Sequence, residues 1–121
     1  VKYGGKWVGN IKFVEVYKDD RYKKVFNTKT VREKVKNGAK LVDSRPPSDF
    51  LKKKIPGSIN IPLMHTPTSN LKDTFAKLSP GGEVITICDD YVDCFDAKLT
   101  GVELERRGYT FLGRYNRPWE Y

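Results

Sequence analysis

The run Glu83-Val84-Ile85-Thr86-Ile87-Cys88 constrains this chain more than any other stretch. Its β-branched residues do not alternate with polar ones, so they fit a strand buried on both faces, as in parallel sheets covered by helices. Cys88 then ends that strand. An acidic loop, Asp89-Asp90-Tyr91-Val92-Asp93-Cys94, follows, and after it a segment with helical periodicity up to Arg107-Gly108. Open α/β sheets gather their ligands outside the carboxyl ends of the strands, which makes Cys88 the expected centre of any chemistry.

The rest of the chain supports the same architecture. Val31 and Val35 lie four apart after a possible cap at Asn27 or Thr28, and Asn37-Gly38 is a stop, which predicts a helix over 28–37. Lys40 to Asp43 reads as a short strand, Ser48-Asp49 as the start of a brief helix, Ile55-Pro56-Gly57 as a turn and Ser58 to Ile61 as another strand. Asn70 is expected to cap a helix carrying Leu71, Phe75 and Leu78, ended by Ser79-Pro80-Gly81-Gly82. A further helix runs from about Asp96 to Arg107 with Leu99, Val102 and Leu104 toward the sheet, and Thr110 to Leu112 is a last strand. This alternation of strands and helices predicts an α/β fold with a mainly parallel sheet. Residues 1–24 read separately, as an N-terminal extension with a half-buried strand at Ile11 to Val16, an edge strand or an arm; residues 25–121 form the domain.

Composition narrows the function classes. With 121 residues, 38% hydrophobic and 31% charged, the chain has the makings of one globular domain. No apolar run approaches the roughly 20 residues needed to cross a membrane. The net charge of +8 raises nucleic acid as a partner, but the lysines are scattered and the aromatics make no RNA-binding signature, so none is expected. Such a surface equally attracts small anions or acidic proteins. His65, in a proline-rich loop, reads as a solvated residue, and no paired ligand spacing supports a metal.

The residues then match a known pattern. Leu41 to Pro62, LVDSRPPSDFLKKKIPGSINIP, resembles the first signature of rhodanese-like domains, with its Asp-x-Arg after a strand and its Ile-Pro-Gly turn. The strand ending at Cys88, the helix closing in Arg107-Gly108-Tyr109 and the aromatic Trp119 resemble the second half. The likeness covers about Val25 to Trp119. It implies a central, mainly parallel five-stranded sheet flanked by helices, with an active cysteine, Cys88, opening a loop that leads into a helix. It also implies sulfurtransferase chemistry through a cysteine persulfide, held by backbone N–H groups and a helix start, without a cofactor. Independently of any family, those groups stabilise an anionic sulfur.

The departures from the pattern are specific. Where the family places glycine and arginine after the cysteine, this chain has Tyr91 and Asp93, its loop is longer by about three residues, and Lys54 replaces the histidine before the Ile-Pro-Gly turn. Cys94-Phe95 through Gly108-Tyr109 is similar to a subgroup of exported rhodanese-like proteins. That similarity, with a chain starting at Val1, gives the expectation of a periplasmic or exported location, with the cytoplasm as the alternative.

Four aspartates, Asp89, Asp90, Asp93 and Asp96, lie within nine residues of Cys88; they raise a thiol pKa and repel anionic donors unless Lys52, Lys53, Lys54 or Arg114 compensate. Asp96 also suits a helix cap or a dipole partner. Asp43 and Arg45 read as a charge network beneath the site, with Arg45 able to orient the loop. A cysteine phosphatase needs an arginine after five intervening residues, and that position holds Cys94.

Cys88 is therefore expected as the nucleophile. Cys94 has three open readings: a resolving thiol, half of a permanent disulfide, or a buried free thiol. The substrate-binding set is Asp89, Asp90, Tyr91, Val92, Asp93 and Arg45, and the partner a small sulfur-containing anion or a protein thiol. The competing expectation is a non-catalytic rhodanese-like module, with a Cys88–Cys94 disulfide, serving a redox or electron-transfer partner.

Overall fold

The computed structural model describes residues 24–89 and 95–121, and the backbone of 2–3 and 6–7. Strands β1 (Lys2–Tyr3) and β2 (Lys6–Trp7) pair antiparallel as a small ribbon. The strand expected at Ile11 to Val16 lies outside the described residues. The main body then runs α1 (Thr28–Lys36), β3 (Lys40–Asp43), α2 (Pro47–Lys52), β4 (Ile59–Asn60), α3 (Leu71–Phe75), β5 (Glu83–Ile87), α4 (Phe95–Arg106) and β6 (Thr110–Tyr115). Short 3₁₀ turns occur at Leu63–His65, Thr68–Asn70 and Pro118–Glu120.

The four strands β4-β3-β5-β6 form one parallel sheet with β5 inside it. The fifth position of the expected sheet is a single parallel bridge, Val25 to Arg114, closed by Phe26 N–H to Arg114 O and Arg114 N–H to Lys24 O, both 2.8 Å. Its close approach depends on Gly113, because a Cβ there would stand 2.8 Å from the Phe26 ring and 3.0 Å from Lys24 O. A register shift between Val84 and Ile85 lets β6 accommodate the extra residue Leu112.

The unbroken β-branched run does what it predicts, since residues 84–87 are all buried and alternate residues feed two cores. Val84 joins Val42, Leu71, Phe75, Leu99 and Phe111 on one side. Ile85 and Ile87 join Leu41, Val31, Ile55 and Tyr115 on the other. Each fully buried aliphatic side chain contributes about 1.5–3 kcal/mol, so this strand anchors both layers. Thr86, facing α4, satisfies its hydroxyl by donating to Ala97 O at 3.0 Å. α4 is buried without a break from Ala97 to Leu104, more than the one-sided stripe of Leu99, Val102 and Leu104. Its buried Glu103 carboxylate is matched by Arg107 at 2.9 Å and Arg106 at 3.4 Å.

Local chemistry sets the helix ends. Asn27 caps α1, its side chain accepting from Thr30 N–H at 2.8 Å. α2 starts at Pro47 rather than Ser48, with proline supplying the fixed φ of a first helical residue. Asn70 does not cap α3: it has αR geometry and makes no capping hydrogen bond, because the preceding 3₁₀ turn runs directly into the helix. Leu78 is buried beyond the end of α3. β6 continues three residues past Leu112, pairing Tyr115 with Ile87.

Candidate functional site

The carboxyl ends of β3, β5 and β6 meet around Cys88. Cys88 follows the last residue of β5, is 5% exposed, and donates its N–H to Tyr115 O at 3.1 Å. Its side chain packs on Ala97 in the first turns of α4. On the β3 side, Ser44 donates both its N–H, at 3.0 Å, and its hydroxyl, at 2.7 Å, to Ile87 O. The end of β5 is thus held from both neighbours, which fixes where the cysteine leaves the sheet.

Arg45 organises the floor beside it. The guanidinium forks onto Asp43, with Nε 3.1 Å from Oδ1 and Nη2 2.9 Å from Oδ2, and both side chains are buried. A buried carboxylate needs such a planar, permanently charged partner, and arginine supplies both bonds at once. Nη2 also donates to Lys53 O. Asn60 bridges the same turn by donating to Asp43 O and Arg45 O, each at 3.0 Å. The remaining nitrogen, Nη1, lies 3.7 Å from the carboxylate of Asp89, the residue after Cys88. Trp119 covers the guanidinium, with Cζ 4.8 Å from the ring centroid, and Lys53 Nζ stands 4.6 Å from the same ring.

On the other flank, His65 Nε2 lies 3.4 Å from Asp96 Oδ2. Asp96 is in the first turn of α4, where its charge suits the positive end of the helix dipole, and it is not the cap residue. His65 is therefore a half-exposed partner of the helix start rather than an isolated loop residue. Position in the sequence gave no sign of this, since 31 residues separate the two.

Of the predicted site residues, the structure brings together Cys88, Asp89 and Arg45. Asp90, Tyr91, Val92, Asp93 and Cys94 lie outside the described residues. Of the cations proposed to offset the aspartates, Arg114 is buried within β6, whereas Lys52, Lys53 and Lys54 are exposed. Sequence reasoning noted Trp119 as a terminal aromatic but not its seat on Arg45. Among the described residues no group of three or more His, Cys, Asp or Glu side chains could hold a metal, and no helix is long and apolar enough to cross a membrane.

The Asp43-x-Arg45 floor and the cysteine at the end of an inner parallel strand agree with a comparison of families, in which the model of the rhodanese-like domain matches residues 27–116. The chain belongs to the rhodanese-like domain family. Neither the curated proteins nor the solved structures give a significant match. Membership supports a sulfurtransferase-type or sulfur-binding role in general. In this rhodanese-like domain, two cavities of about 340 and 380 Å³ open away from Cys88: one at the start of β3, lined by Ala39, Lys40 and Leu41, the other between α3 and Arg107.

Proposed function

We propose that this rhodanese-like domain is a sulfurtransferase in which Cys88 carries sulfane sulfur and Cys94 resolves it. The observation that carries the reading is the placement of Cys88 at the carboxyl end of an inner strand, packed on Ala97 in the first turns of α4. In the first step the Cys88 thiolate attacks the sulfane sulfur of a donor; a sulfur–sulfur bond forms to Cys88 and the donor's leaving group departs with its electron pair. In the second, the Cys94 thiolate attacks Cys88 sulfur, forming the disulfide and releasing the carried sulfur as hydrosulfide. An external thiol can instead take the carried sulfur directly. Reduction by two thiol equivalents returns both cysteines to thiols. No cofactor enters these steps. Arg45 supports the loop in this scheme by holding Asp89 and partly neutralising its charge beside the reacting sulfur.

A second reading is favoured by one observation, the burial of Cys88, which is 5% exposed. In it the domain is a non-catalytic module, with Cys88 and Cys94 permanently joined, that serves a redox or electron-transfer partner. Intact mass measurement of the reduced, folded protein before and after a sulfane donor separates the two. Transfer predicts that Cys94→Ser gains one sulfur, that the unmodified protein ends two hydrogens lighter as hydrosulfide leaves, and that Cys88→Ser does neither. A reduced Cys94→Ser protein that takes up no sulfur from thiosulfate, polysulfide or a persulfide donor sinks the sulfurtransferase reading.

A further inference from the structure

A second surface adjoins Cys88 and is unused by that scheme. The six-residue helix α2 has no buried side chain, and Leu51 is 76% exposed. Lys52, Lys53 and Lys54 follow, all exposed. Two of these cations are held in place by aromatic rings: Lys54 Nζ is 4.9 Å from the Phe50 centroid and Lys53 Nζ 4.6 Å from that of Trp119, which is itself 36% exposed. The face reaches the site through one residue. Arg45 donates to Lys53 O, lies under Trp119, and directs Nη1 at Asp89 beside Cys88.

We propose that Leu51, Lys52, Lys53, Lys54 and Trp119 form a docking face for an acidic protein thiol that reduces the Cys88 disulfide; the proposal rests on the thiol–disulfide chemistry assigned to Cys88 and Cys94. Charge complementarity selects the occupant, because the fixed lysines and a net charge of +8 attract a partner rimmed by carboxylates. A small sulfur anion has no use for Leu51 or Trp119, whereas a protein interface is built on exposed aromatic and aliphatic anchors ringed by charge. The partner's thiolate attacks one sulfur of the disulfide, a mixed disulfide forms, and the other cysteine leaves as a thiolate and takes up a proton. A second thiol of the partner then displaces the first cysteine. Both cysteines of this chain end reduced and the partner leaves as its disulfide, a transfer of two electrons.

The test compares two cysteine peptides of equal length, each with one leucine, one flanked by glutamates and one by lysines, as reductants of the oxidised full-length protein, with the second-order rate read by intact mass. The acidic peptide is expected to react about tenfold faster at low salt, with the gap narrowing as salt screens it. Lys52→Glu/Lys53→Glu is expected to abolish the preference. Lys36→Glu/Lys77→Glu makes the same change in net charge ahead of β3 and β5, at the opposite end of the sheet, and is expected to keep most of it. Equal rates for the two peptides, or equal loss in both double variants, overturn the docking face. Dithiothreitol run in parallel reads the underlying chemistry: a folded protein that it cannot reduce overturns both readings, whereas one reduced by it but indifferent to peptide charge loses only the docking face.

Discussion

Arg45 binds four features at once: the Asp43 carboxylate, the Lys53 carbonyl, the Trp119 ring and the Asp89 side chain. Removing it leaves Asp43, 1% exposed, as a buried charge without its cation. Arg45→Ala is therefore predicted to cost about 3–5 kcal/mol, seen as a lower urea midpoint. Arg45→Lys keeps the charge but loses the fork and the stacking, so its midpoint is expected between the two. Trp119 fluorescence should change in both, because each removes the guanidinium from its ring. An unfolding free energy within about 0.5 kcal/mol of the unmodified protein for Arg45→Ala would refute the role. At this scale the Asp-x-Arg spacing was legible in the sequence, since two residues of opposite charge after a strand end have few other places to satisfy themselves. The contact with Trp119 was not, because 74 residues separate the pair and no local pattern links them.

At the scale of elements, α4 and β6 meet at Gly101 and Phe111. Gly to Ala in a helix interior ordinarily stabilises by about 1 kcal/mol. Here a Cβ on Gly101 would stand 2.5–2.7 Å from the Phe111 ring, which is fully buried and has nowhere to move. Gly101→Ala is predicted to destabilise by about 1–3 kcal/mol, and Gly101→Ala/Phe111→Leu to recover part of it in thermal melts. The C-terminal end of β6 carries a different device. Burial pushes the Tyr115 hydroxyl pKa up, against the opposing effect of its 2.8 Å hydrogen bond with Thr28, while Glu120 adds to the rise. A raised folded-state pKa contributes stability that is complete below the unfolded value, about 10, and is lost as pH rises through the folded one. Stability should therefore fall as pH climbs above about 10, and the fall should be shallower in Tyr115→Phe. Denaturation midpoints across that range check it; parallel curves would exclude Tyr115 as a contributor. The elements themselves were readable where periodicity was long, as in β5 and α4. The start of α3 was not legible, because Asn70 has the chemistry of a cap, yet it is the last residue of a 3₁₀ turn and already has αR geometry.

For the whole molecule, the parallel sheet followed from the βα alternation, while its outer edge did not: Lys24 to Phe26 contribute one bridge, too short to leave a period in the sequence. The two readings of the cysteine pair also part at this scale, through what the disulfide does for global stability. Residues 88–94 would close a loop of seven residues, counting both ends. Loop-closure entropy assigns a loop that short about 2 kcal/mol, below the 3–5 kcal/mol of much longer loops. The parallel sheet and the two cores on its faces do not depend on that closure, since Ser44 and Tyr115 hold the end of β5 through its backbone. Reduction is therefore predicted to lower the stability of the domain by about 2 kcal/mol without unfolding it, and Cys94→Ser should match the reduced protein. Such a domain can cycle between dithiol and disulfide while folded, as sulfur transfer with a resolving cysteine requires. Urea titrations of oxidised, reduced and Cys94→Ser protein measure this directly. A reduced protein that unfolds cooperatively at room temperature would instead make the bond a structural staple, and would favour the non-catalytic module over the transferase.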